Sequence, residues 1–124
     1  MQDFGLIKNF TSDGVIEKNR LIAPGAKDGH IKRAGVGDTL IGTTGIRGAS
    51  KADERVDGCL NNIRDVTYGG PVAFGDPLTS DAQGRAVKAD PAAGVPVPVA
   101  GYAMSSGIAG VLGSLHVVPG YLTG

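Results

Sequence analysis

The chain has 124 residues, enough for one domain with a thin core, because three Phe, three Tyr and no Trp leave burial to Val, Ile, Leu and Ala. Twelve Lys and Arg balance twelve Asp and Glu, which argues against a general polyanion binder working by counterion release. Twenty-one Gly and seven Pro, in a chain that is neither low-complexity nor highly charged, argue against disorder and for many short elements.

From the N-terminus, Phe4, Leu6, Ile7 and Phe10 precede a first turn at Asp13-Gly14. An apolar segment in that place is compatible with a strand that adds to an open sheet edge. Strand-like runs then recur at Arg20 to Ala23, His30 to Ala34, Thr39 to Thr44, Arg55 to Leu60, Asn62 to Thr67, Arg85 to Lys88, Val95 to Met104 and Val111 to Val118. Asp28-Gly29 and Ser80 to Gly84 supply hairpin turns, and Asp57-Gly58 interrupts a strand where a bulge or turn is expected. Helical periodicity is broken throughout by Gly and Pro, which cost a helix interior about 1 and 3 kcal/mol each, so only Gly48 to Glu54 offers a single helical turn.

Pro96 and Pro98 lack amide donors, which places that part of their strand on an edge or outside a regular ladder, with Val95, Val97 and Val99 facing the core and the prolines facing out. Leu21 to Gly42 and Leu78 to Gly101 run through similar features in the same order, a weak internal echo that describes two β units around one core. Every Lys and Arg lies at or before Lys88, and from Ala89 onward the only Asp, Glu, Lys or Arg is Asp90. Such a tail expects cover, from its own domain or from another subunit.

Chemistry is sparse. His30 beside Lys32 and Arg33 reads as solvated, and His116 in VLGSLHVVPG as a strand residue. Cys59 is the lone cysteine, read as a buried thiol, and one Cys with two His falls short of a structural zinc set. GTTGIRGASK, residues 42–51, lacks the spacing of a phosphate-cradling loop and reads as a plain turn. Asp13, Asp28, Asp57 and Asp81 sit in turn contexts that account for them, and interleaved acids dilute a basic spot at Arg47, Lys51 and Arg55. No catalytic, cofactor-binding or metal-ligating residue is therefore assigned. The chain shows no signal-like start and no apolar run near the roughly 20 residues that span a bilayer, so neither secretion nor a membrane partner is expected.

The order Asn9-Phe10-Thr11, Lys18 to Ile22, Asp28 to Ala34, Leu40-Ile41-Gly42, Glu54 to Asp57, Gly75 to Val87, Val99 to Ala103 and Leu115 to Gly120 resembles the capsid decoration, or cement, proteins of tailed bacteriophages. The resemblance covers nearly the whole chain and rests on order and spacing. It implies an all-β domain over residues 11–124, of β-sandwich or barrel-like build with little or no helix, behind an N-terminal arm over residues 1–10. It implies binding to the outside of an assembled head at junctions between major capsid protein subunits, self-association as dimers or trimers, and no catalysis, cofactor or direct nucleic-acid contact. The protein would be made in the host bacterial cytoplasm and act on the outer capsid surface of the virion. The arm would reach a neighbouring subunit through Phe4, Leu6, Ile7 and Phe10. The nearly uncharged C-terminal third departs from the pattern and suggests an enlarged self-association surface at Val111, Leu112, Leu115, Val117 and Tyr121. Two other readings remain open: a tail or baseplate β-module, and a small β-barrel enzyme or ligand-binding module using Cys59, a His and an Asp.

Overall fold

A computed structural model describes residues 6–124, which form ten strands and, among these residues, no helix. The first five are β1 (Ile7–Ser12), β2 (Leu21–Pro24), β3 (His30–Arg33), β4 (Gly42–Thr43) and β5 (Arg55–Cys59); they close into a barrel in the order β1-β3-β2-β4-β5. The last five are β6 (Ile63–Thr67), β7 (Pro77–Ser80), β8 (Ala86–Lys88), β9 (Pro96–Ala103) and β10 (Leu112–Thr123), in a sheet of order β6-β10-β9-β7-β8.

The two halves repeat one arrangement. In each, the second strand lies between the third and the fourth, and the fifth lies between the fourth and the first. The barrel closes through parallel pairs of Thr11 with His30 and Ser12 with Ile31, and the second half keeps one parallel bridge at the matching place, Tyr68 with Ala86. The segments after β1 and β6 are pinned alike, by the bridges Ile16–Ala49 and Val72–Gly107. The sequence echo thus has a structural counterpart, with Ile22 opposite Gly42 as Leu78 is opposite Gly101.

β2 explains how the halves share a core. Side chains alternate between the faces of a strand, and on β2 both faces are buried: Ile22 packs with Phe10, Ile16, Ile31 and Val56 inside the barrel, while Leu21 and Ala23 join Val66, Tyr68, Leu78, Leu115 and Val117 on the other side. Backbone bonds from Leu21 to the Gly84 carbonyl (2.7 Å) and from Thr67 to the Asn19 carbonyl (2.9 Å) tie the halves further.

Several expectations are corrected. Residues 48–54 make no helical turn; Glu54 instead accepts from the Ser50 amide and hydroxyl, and Asp53 takes a positive φ. Gly58 makes no bulge, since β5 pairs with β1 in unbroken register; a Cβ there would meet the Phe10 ring, so glycine admits that ring to the core. β7, just before the expected turn at Ser80 to Gly84, was not among the expected strands, and only Gly42–Thr43 of the expected strand over residues 39–44 is a strand. At the prolines β9 is indeed an edge, because β7 pairs only with its Gly101–Tyr102 end; Val99 is buried and Pro96 exposed as expected, but Val97 is only half-buried, Pro98 is buried and Val95 exposed, contrary to the expected facing. Residues 7–10, expected in an arm, pair with the chain's own β5, and Phe4 lies outside the described residues.

Candidate interaction surfaces

Strand alternation divides the residues expected at a self-association surface. On β10, Gly113, Leu115 and Val117 face inward, so Leu115 and Val117 serve the core and are unavailable for contact; Val111, Leu112 and Tyr121 are exposed. Phe10 is likewise a core residue, while Leu6 and Ile7 are exposed.

The internal repeat supplies a comparison between matching surface positions. The Tyr68 amide donates to the Val111 carbonyl as the Ser12 amide donates to the Glu54 carbonyl. Leu112 pairs with Thr67 as Arg55 pairs with Thr11. Counting from the matched bridges, Ile108 stands where the first half has Ser50, and Phe74 where it has Lys18. The first half folds with Lys18, Ser50, Glu54 and Arg55 at these places, so the architecture does not require apolar side chains there. The second half nevertheless exposes Phe74 (69 %), Ile108 (66 %), Leu112 (54 %) and Val111 (40 %). Their segments are held together by the Val72–Gly107 bridge and by the bond from the Phe74 amide to Ser106 Oγ (3.1 Å). An exposed apolar group that the architecture does not require is a candidate contact surface.

A second surface lies at the seam between the halves, where Ile7, Ile46 and Ile63, all exposed, line a groove of about 460 Å³ with Cys59, Arg47, Asp57 and Asp65. Ile46 and Ile63 went unassigned in the sequence, one inside a presumed turn and the other inside a presumed strand. Beside it, Arg47, Glu54, Arg55 and Asp57 line a more polar hollow of about 400 Å³, where charges of both signs meet.

The titratable groups serve structure where their contacts are visible. His30 Nδ1 lies 2.7 Å from Asp13 Oδ1, and the Ala26 amide donates to Asp13 Oδ2 (2.7 Å). The Ala26 bond first and then the His30 bond, helped by the nearby charges of His30 and Lys27, hold the Asp13 carboxyl below its usual range against the opposing effect of desolvation. Cys59 is buried in β5, and His116 is exposed on β10 opposite Tyr102 and Ile63. Among the described residues no group of three or more His, Cys, Asp or Glu is placed to hold a metal ion.

Beyond Val117, β10 leaves β6 and runs on with β9 as a two-stranded ribbon that exposes Val118, Pro119 and Tyr121. The Tyr121 hydroxyl lies 3.0 Å from Thr39 Oγ1 and steadies the ribbon against the first half.

No family model matches the sequence, and no curated protein matches it. Among solved structures, the N base of head fibre gp8.5 from bacteriophage phi29 is similar over 96 % of this chain and 98 % of that one, with a TM-score of 0.71 and 22 % identity. At that identity the likeness establishes a common all-β fold spanning both halves.

Proposed function

We propose that the protein is a structural component of a phage virion that binds the outer surface of the head and stabilises contacts between major capsid protein subunits. The observation that carries this reading is the exposed apolar group Phe74, Ile108, Val111 and Leu112, set where the matching half of the same chain is polar. The order of sequence motifs and the fold held in common with a phage head-fibre base support the same direction. The mechanism is mass action: a protein that binds only the assembled lattice stabilises it by RT ln(1 + [L]/Kd) per site, so many modest contacts add up over a shell. No reactive group is needed, and self-association as a dimer or trimer would couple neighbouring sites.

Heat or osmotic challenge of heads with and without bound protein tests the stabilising role. Retained genome at a higher challenge with the protein is the expected result; identical survival despite full occupancy would remove that role.

A further inference from the structure

The two edges of the β9–β10 ribbon differ chemically. Gly120 faces Val99, Tyr121 faces Pro98, Leu122 faces Val97 and Thr123 faces Pro96. Successive pairs in an antiparallel ladder alternate between those that exchange both bonds and those whose amides point away. Proline has no N–H, so the pairs at Pro96 and Pro98 are of the second kind, and the bond from the Gly124 amide to the Val95 carbonyl (3.3 Å) has the same phase. On β9 the outward positions are therefore the two prolines, an edge with carbonyls and no donors. On β10 the outward positions are Tyr121 and Thr123, each with an N–H and a C=O. Among the described residues β6 pairs with β10 only as far as His116, and no backbone bond outside the ladder involves either amide.

We propose that this edge of β10 is where a second copy of the chain adds, antiparallel, about a two-fold axis at Leu122. The inference deepens the self-association part of the proposed function and is independent of what the dimer binds. With Leu122 facing its counterpart, Tyr121 of each chain meets Thr123 of the other, and every free donor finds a carbonyl. Pro119, the next outward position, takes no part. An isologous contact asks nothing of one copy that the other lacks. The edge strand itself carries no Asp, Glu, Lys or Arg, Asp90 being the only such residue from Ala89 onward. Exposed Val118 and Tyr121 add apolar area along the seam. A head-to-tail addition of β10 onto a neighbour's β9 would satisfy half the ladder at best, so the prolines disfavour open filaments built through this ribbon.

Sedimentation equilibrium of the full chain, without heads, tests this separately from any test of head binding. A monomer–dimer equilibrium is expected. Thr123→Pro removes one outward donor per chain while sparing the chain's own ladder, and the two lost bonds should weaken the dimer about ten-fold; Thr123→Ala should not. Leu122→Cys, at the axis, should yield a covalent dimer on mild oxidation, because non-hydrogen-bonded antiparallel partners have Cα atoms about 4.5 Å apart, within disulfide reach. A monomer at every concentration, a trimer, or a dimer indifferent to Thr123→Pro would overturn the proposal.

Discussion

Asp13 and Gly69 occupy matching positions in the two halves, and the carboxylate that orders the neighbouring turn comes from opposite sides. The amides of Asp13 and Gly69 bond alike to the carbonyls of Ile31 and Ala86, and those of Gly25 and Asp81 alike to His30 and Arg85. In the first half Asp13 reaches over Gly25 to the Ala26 amide and His30. In the second, Asp81 reaches toward Gly69 while accepting from the amides of Gln83 and Arg85 (both 2.9 Å) and from Arg85 Nε (2.8 Å). One Asp, one Gly and one basic residue thus recur in each half, with Asp and Gly exchanged.

This arrangement gives acid stability a definite sign. The folded state lowers the Asp13 pKa below its ordinary 3.8, chiefly through the Ala26 amide and then through His30. Its contribution is therefore complete above the unfolded pKa and is lost as pH falls through the folded value. Urea unfolding midpoints of the wild type should drop below about pH 4 more steeply than those of Asp13→Asn, which keeps an acceptor for Ala26 without the titration. Parallel pH profiles would count against the assignment.

Gly42 and Gly101 stand at matching crossings, where a Cβ would run into the backbone carbonyls of Cys59 and His116 respectively. Gly101 also has a φ of 148°. Alanine at either place should cost at least about 1–3 kcal/mol by overpacking, with the larger loss at Gly101, as read from chemical denaturation. A neutral Gly101→Ala would show that the β9–β10 crossing is looser than described.

Tyr68 ties the shared core to β10. Its buried ring lies against Gly107 and Gly113, and its hydroxyl donates to the Ser105 carbonyl (2.8 Å). Tyr68→Phe should cost about 1 kcal/mol and Tyr68→Ala about 3–5 kcal/mol. Because Leu21 and Ala23 pack with Val66 and Leu115, both halves should unfold in one transition, monitored by two probes placed one in each half. Separate midpoints would contradict a common core.

Much of the fold was legible because turn chemistry is local. Asp28-Gly29 lies in the β2–β3 connection, and Gly84 takes the positive φ expected of it in the β7–β8 turn. The spacing of Pro96 and Pro98 marked an edge correctly. β1 was missed as a barrel strand because its partner β5 lies far along the chain, and nothing local in Ile7–Ser12 names that partner. Leu115 and Val117 were read as surface because the phase of β10 depends on its pairing with β6 and β9. The apolar group at Phe74 and Leu112 gains meaning only once Lys18 and Arg55 are known to match them, which needs the register of both halves.

That comparison also designs its own control. Phe74→Lys with Leu112→Arg installs the residues that the first half already tolerates, so stability should stay within about 0.5 kcal/mol of the parent. The most direct measurement is co-sedimentation of parent and double variant with undecorated heads and with isolated capsid subunits. The account expects the parent to pellet with assembled heads in preference to subunits, and the folded variant to bind heads at least about ten-fold more weakly. A parent that ignores assembled heads would contradict the head-binding reading, and a variant that decorates heads as fully as the parent would contradict the role given to Phe74 and Leu112.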